Sequence, residues 1–295
     1  MSSSMLLYLE FVGVFILLVW AFYITFRAGL LYNGPIYCMS IGGYFAAFAV
    51  RDLGWPFGLA LIGALVVGAI FGFLPALGFS RTTGIVTAVA SMALIFIVQS
   101  VIRNLAFLGG PFGFWNIPKV DYLLPITWVL VLIVGVFIYR LDHSRVGRAL
   151  EVIGTDPELA HTMGIDVKWL NVYALTLSSV IGALAGVIFA FTMRTIQVES
   201  FGFPLLLTSS TMLFIGGRYT MWGAIIAVPL LWGLPQWIPS EAAVYSNLIY
   251  GILLITTLVL RPEGLVTRES LQRLKASGKL WLKNIKGFSS GGKRG

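Results

Sequence analysis

The stretch Leu53–Ser80, LGWPFGLALIGALVVGAIFGFLPALGFS, carries no charged side chain. About 20 consecutive apolar residues are enough for a helix to cross the roughly 30 Å hydrocarbon core of a bilayer. The same charge-free character recurs along the chain. It holds over Phe11–Phe26, Ala28–Val50, Thr82–Ile102, Tyr122–Tyr139, Trp169–Met193, Ser200–Gly217, Tyr219–Ser240 and Ala242–Leu260. Single charges punctuate these runs: Arg27, Arg51–Asp52, Arg81, Arg218 and Glu241. The runs are too long and too uniformly apolar for barrel strands, and a bilayer offers no partner for an open sheet edge. The expected fold is therefore all-α: a polytopic transmembrane helix bundle of about eight or nine spans, occupying residues 1–265.

Composition points the same way. Of 295 residues, 58% are apolar and 11% charged, against about 25% charged in an ordinary soluble protein. A cytosolic enzyme, a disordered chain and a secreted disulfide scaffold are excluded, the last also because Cys38 is the sole thiol. Two apolar segments are shorter or broken. Tyr32–Val50 begins with Asn33-Gly34-Pro35, and Phe203–Gly217 starts at Pro204. Each reads either as a re-entrant or broken helix, or as a short helix that begins after a proline.

Orientation follows the basic residues. After Leu260 lie nine Lys or Arg and two acids, so nearly all of the formal net charge of +8 falls in the tail 266–295 and its approach. Basic flanks stay cytoplasmic, which predicts a cytoplasmic C-terminus in contact with anionic lipid. Four segments separate the tail from the polar stretch 140–168, so that stretch is cytoplasmic as well. Five segments precede it and place the N-terminus outside. The first basic residue is Arg27, which argues against a cleaved signal peptide. Arg51 on the outer side is an exception to the rule. With the tail set aside no basic domain remains, and nucleic acid is not an expected partner.

The interval 140–168 reads RLDHSRVGRALEVIGTDPELAHTMGIDVK and holds four Lys or Arg, five acids and both histidines. Residues 148–153 have helix-forming composition. Thr155-Asp156-Pro157-Glu158 reads as a helix start, with a capping side chain, proline at the first position and an acid in the first turn. The helix should stop at Gly164. An exposed apolar face of Ala160, Met163 and Ile165 suits a docking knob for a soluble partner; the alternative is a surface turn joining two spans. His143 and His161 fit surface histidines.

Several of these residues form a pattern. Gly147-Arg148-Ala149-Leu150, Asp156-x-Glu158-x-Ala160 and Met163-Gly164-Ile165 resemble the cytoplasmic loop of bacterial ABC-transporter permeases of the branched-chain amino acid family. Ser200-Phe201-Gly202-Phe203, Ile215-Gly216-Gly217 with Met221-Trp222-Gly223-Ala224, Leu248-Ile249-Tyr250-Gly251 and Arg261-Pro262-Glu263-Gly264-Leu265 are similar to its later segments. Ser40-Ile41-Gly42-Gly43-Tyr44 and Gly109-Gly110-Pro111-x-Gly113 match more loosely. Two departures stand out: Arg218-Tyr219 where the family has a further glycine, and Cys38-Met39-Ser40 upstream.

The resemblance implies an importer in the bacterial inner membrane. Two permease subunits, like or unlike, would form the pathway, two ATP-binding cassette subunits would hydrolyse ATP, and an extracytoplasmic solute-binding protein would deliver the solute. Membrane lipids surround the bundle, and no cofactor is expected in this chain. The loop would couple ATP hydrolysis to transport through Arg148, Glu151, Asp156, Glu158, Ala160, Met163 and Gly164. A branched-chain amino acid leads as solute, with amides, urea and aromatic acids as relatives.

No Gly-x-x-x-x-Gly-Lys-[Ser/Thr] run occurs, and one Cys with two distant His offers no metal spacing. No catalytic residue is expected. An ion-coupled secondary transporter is the alternative, but such proteins place ionisable residues in mid-span and the charge-free runs contain none. Candidates for the translocation path are the amides Asn33, Gln99, Asn104 and Gln197. Gly68-x-x-x-Gly72 and Gly182-x-x-x-Gly186 allow close helix approach and read as packing.

Overall fold

The structure is a computed structural model that describes residues 3–82, 84–217 and 220–237, with isolated positions 252, 255 and 256. Among these residues the chain forms ten α-helices and no strand. They are α1 Ser3–Arg27, α2 Gly34–Arg51, α3 Phe57–Phe79, α4 Gly84–Asn104, α5 Leu123–His143, α6 Arg145–Thr155, α7 Pro157–Thr162, α8 Val167–Met193, α9 Phe203–Gly216 and α10 Trp222–Trp237. Six described segments are long and apolar enough to cross a membrane: α1, α3, α4, α5, α8, and α9 together with the 3-10 turn before it.

That is below the expected eight or nine. The apolar helix Trp222–Gly233 is too short to count, and α2, rich in glycine and polar groups, is not among the six. The expected last span, 242–260, apart from positions 252, 255 and 256, and the tail 266–295 lie outside the described residues, as do Arg218, Tyr219 and Glu241. Neither doubtful segment is broken: α2 runs continuously from Gly34, with proline in its first turn, and α9 starts the same way at Phe203-Pro204.

Helix α8 forms the centre and is buried along most of its length. Small residues bring its neighbours close. A Cβ on Gly42 of α2 would lie 2.6 Å from the Ala183 carbonyl oxygen, and one on Gly182 of α8 would lie 2.6 Å from that of Pro35. A Cβ on Gly186 would overlap the Met39 carbonyl oxygen. Helix α3 buries a four-residue repeat of small side chains, Ala60, Ala64, Gly68, Gly72 and Ala76. Gly68 faces Ala183 and Gly72 faces Ser179. Both glycine pairs thus sit at helix contacts around α8, where backbone proximity replaces the hydrophobic drive that lipid cannot supply. The opposite faces of α3, α4 and α5 expose apolar side chains such as Ile62, Ile70, Val89, Ile97, Leu132 and Val136, as lipid-facing surfaces do.

The helices define two ends. The last residues of α1 and α5 meet α6 at one, the loop end. At the other, Arg51 of α2 lies over the Phe114 ring at 3.5 Å and donates to the Trp115 carbonyl at 2.9 Å. Its pairing with Asp52 and this cation–π contact account for a basic residue at the end opposite the loop. Helices α1 to α5 alternate in direction, so the start of α1 lies at the end opposite the loop.

Helix α9 runs toward the loop end, with Phe214 against Phe26, and α10 returns, with Trp232 packed at a tilt against the rings of Phe11 and Phe15. Gly216 and Gly223 pack backbone to backbone at their crossing, which explains why the Gly-Gly and Trp-Gly pairs occur together. Trp20 Nε1 donates to the Met221 carbonyl at 2.9 Å and ties the residue before α10 to α1.

Candidate coupling site at the loop end

The loop after α5 folds into two helices because it carries three successive caps. Ser144 Oγ accepts from the Gly147 amide at 3.1 Å and starts α6. Asp156 Oδ1 accepts from the Glu158 and Leu159 amides at 2.9 and 3.1 Å and starts α7, with Pro157 in its first turn. Asp166 Oδ1 accepts from the Trp169 amide at 3.2 Å and starts α8. Helix α7 ends at Thr162; Gly164 then takes a positive φ of 74°, and the Ile165 amide reaches back to the Ala160 carbonyl at 3.1 Å. The start and stop read from Thr155-Asp156-Pro157-Glu158 and Gly164 are the ones found.

Two glycines seat the loop on the bundle. A Cβ on Gly147 would overlap the Leu141 carbonyl oxygen, so this glycine lets α6 fold back against the end of α5. Gly154 meets Gly29, whose φ is +72°; a Cβ on Gly29 would lie 2.9 Å from the Gly154 Cα. Ile153, Ala160 and Val167 form a small core of their own between α6, α7 and α8.

Of the seven loop residues expected to act in coupling, five lie on or near the surface. Arg148 is exposed and donates to the His143 carbonyl at 3.0 Å; Glu158, Met163 and Gly164 are exposed; Asp156 is exposed and caps α7. Glu151 turns toward the bundle, where its Oε2 lies 3.1 Å from Arg27 Nη2. The expected exposed face needs correction. Ala160 is 0% exposed, because its position on α7 points between Ile153 and Val167, and Ile165 is half-buried. The outward apolar pair is Leu159 and Met163, 47% and 63% exposed and four residues apart on one side of α7.

The reading of the sequence did not single out Arg27 or Asp142 for this site. Arg27 ends α1 with 8% of its side chain exposed, ion-paired to the Asp142 carboxylate and to Glu151. Tyr23 joins them: it donates to Asp142 Oδ2 at 3.0 Å and receives from Arg27 at 3.4 Å. The available signal was a lone cation ending an apolar run and an acid ending another, but their partnership spans more than a hundred residues of chain.

The four amides expected on the path are not gathered in one place. Asn33, near the loop end, bonds α4 through its backbone amide to Ser91 Oγ at 3.0 Å and through Nδ2 to the Ala88 carbonyl at 3.1 Å. Gln99 is buried and donates to the Val198 carbonyl at 3.2 Å. Asn104 is exposed and bonds its own helix at Ser100, and Gln197 is exposed at the end opposite the loop. Between α2, α3 and α4 lies an apolar cleft of about 580 Å³, walled by Ile41, Phe45, Phe71, Val98 and Phe107, with Tyr37 and Tyr44 as its polar members.

The permease component of branched-chain amino acid transport systems, as a family, matches residues 4–258. The chain belongs to that family. It is an ABC-type permease of the branched-chain amino acid family, whose members work with ATPase and permease partners in a membrane.

Its similarity to individual members is modest. It is 25% identical to the high-affinity branched-chain amino acid transport system permease protein LivM of Escherichia coli K12, over 85% of this chain and 68% of that protein. The probable LivM of Methanocaldococcus jannaschii is 26% identical, over 72% and 68%. The autoinducer 2 import system permease protein LsrC of Yersinia pestis (strain Pestoides F) is 25% identical, over 75% and 67%. The chain thus spans about two-thirds of the length of these permeases. No solved structure matches. Because the relatives' names differ in cargo, membership alone leaves the solute open.

Proposed function

We propose that this permease is one of a pair of membrane subunits of an importer in the bacterial inner membrane. The pair, like or unlike, moves a branched-chain amino acid or a related small polar solute. Two separate ATP-binding cassette subunits hydrolyse the ATP, and the chain carries neither ATPase chemistry nor a cofactor of its own. An extracytoplasmic solute-binding protein hands the solute over. The loop end and the C-terminus face the cytoplasm, with the basic tail near anionic lipid headgroups.

The observation that supports this reading is the loop itself. Helix α7 has caps at both ends, a small core beneath it, and Leu159 and Met163 left in the open. An apolar pair displayed on a built knob is what a docking partner covers. The exposed positions Arg148, Glu158 and Gly164 border the same contact. Asp156 caps the helix from the surface, Ala160 packs beneath it, and Glu151 ties it to the bundle. Among the described residues the fully buried polar side chains are neutral, Glu10 lies near the start of α1 and Arg27 at its end, ion-paired. No ionisable group among them is therefore buried in mid-span, which favours ATP drive over ion coupling. The amides Asn33, Gln99, Asn104 and Gln197 belong, in this reading, to the translocation path or a subunit contact, Asn33 and Gln99 at helix junctions and Asn104 and Gln197 on the exposed surface.

The test is reconstitution with the ATPase, partner permease and binding subunits in proteoliposomes. Labelled leucine should accumulate only with ATP inside and binding protein outside. Accumulation by the isolated chain on a proton or sodium gradient would overturn the reading.

A further inference from the structure

The ATPase contact assigned to α7 leaves open how a displaced loop would move helices that do not belong to it. Helix α8 follows directly from the loop. Helices α2 and α4 are reached through the corner between α1 and α2, residues 27–33. Three sets of contacts converge there. Arg27 binds Asp142 of α5 and Glu151 of α6, and the Gly29 backbone touches that of Gly154 at the end of α6. Tyr32, fully buried, bonds Tyr37 of α2 at 2.6 Å and Ser179 of α8 at 3.2 Å through its hydroxyl. Asn33 grips α4 at Ala88 and Ser91.

We infer that Arg27 is a positioning residue for coupling: its guanidinium locks α6 to the 27–33 corner, so that displacement of the loop is delivered to α2 and α4 as well as to α8. The inference rests on the reading of α7 as the ATPase contact. The chemistry suits the task. A guanidinium is planar and always charged, and its fork can hold two carboxylates from different elements at once, which an ammonium does poorly. Arg27 and Asp142 are largely buried, so that pair is little screened, whereas the Glu151 side chain is 39% exposed and its pair with Arg27 acts through the guanidinium that Asp142 already holds in place. Glu151 is then the loop's inward handle and Met163 its outward one. The two differ in what their loss should do.

The complete transporter, reconstituted with its ATPase, partner permease and binding subunits and with labelled leucine as probe, separates the roles. In Arg27→Met the ATPases remain bound and ATP hydrolysis continues, while leucine accumulated per ATP hydrolysed falls at least ten-fold. Glu151→Gln, which leaves Arg27 paired with Asp142, lowers that ratio several-fold. Arg27→Lys restores part of it. A purely structural role would instead lower the yield of assembled complex and leave the ratio unchanged in whatever assembles. Should Arg27→Met fail to accumulate in the membrane, the triple variant Arg27→Met, Asp142→Asn, Glu151→Gln removes the three charges of the cluster together and should show the same ten-fold fall. A wild-type ratio in any recovered variant lacking the Arg27 charge overturns the inference. Met163→Glu provides the separation from the underlying reading. If it releases the ATPases while Arg27→Met keeps a normal ratio, only the role of Arg27 fails; if it retains them at wild-type affinity, the loop reading itself fails.

Discussion

Replacing Leu159 and Met163 together by serine removes the apolar pair that α7 presents outward. Full burial of a Leu or Met side chain is worth about 1.5–3 kcal/mol. Leu159 is 47% exposed and Met163 63% exposed, so a partner covering both gains about 1 kcal/mol from each, or roughly 2 kcal/mol in all. That corresponds to about thirty-fold weaker binding of the ATPase subunit. The stability of the permease should barely change, because neither side chain contributes to the small core of Ile153, Ala160 and Val167. The assay is titration of purified ATPase subunit onto the permease in nanodiscs, read by fluorescence anisotropy, alongside thermal unfolding of the permease alone. Unchanged ATPase affinity in the double variant would refute the docking argument. A large fall in melting temperature would refute the view that the pair faces outward.

Three further outcomes follow from the same contacts. Asp156→Ala removes the cap of α7 and should cost about 1 kcal/mol locally, seen as faster amide exchange over Glu158–Met163 with the spans unaffected; unchanged exchange would count against the cap. Gly186→Val places side-chain atoms where the Met39 carbonyl stands, forcing α2 from α8, and should abolish monodisperse protein in detergent; wild-type yield would contradict the packing. Gln99→Leu strands the Val198 carbonyl inside the bundle and should cost about 1–3 kcal/mol, measured as loss of resistance to thermal unfolding; a neutral effect would mean that the carbonyl finds another donor.

Much of the bundle is legible in the chain because lipid imposes a simple rule: charge-free runs of sufficient length must close their hydrogen bonds within a helix. The caps of the loop were legible too, since Asp156-Pro157-Glu158 and Gly164 act on amides and carbonyls a few residues away. Which side of α7 faces out was not. Ala160 and Met163 lie three positions apart, and only the placement of Ile153 and Val167 shows that the smaller one points in. The amides illustrate the same limit. Asn33 and Gln99 look costly in lipid, yet each has found a carbonyl on another segment, a pairing that composition does not reveal.

By itself the sequence determined a helical membrane bundle, the capped polar loop between its fifth and next long helices, and the kinship with permeases. Each of these depends on residues near one another along the chain or on summed hydropathy. Tertiary structure alone decided that Arg27, Asp142 and Glu151 form one cluster, that Gly29 rests on Gly154, and that Gly216 meets Gly223. Those contacts exist only once the helices cross, because a side chain or a bare Cα reaches a partner distant in sequence through the packing of whole helices.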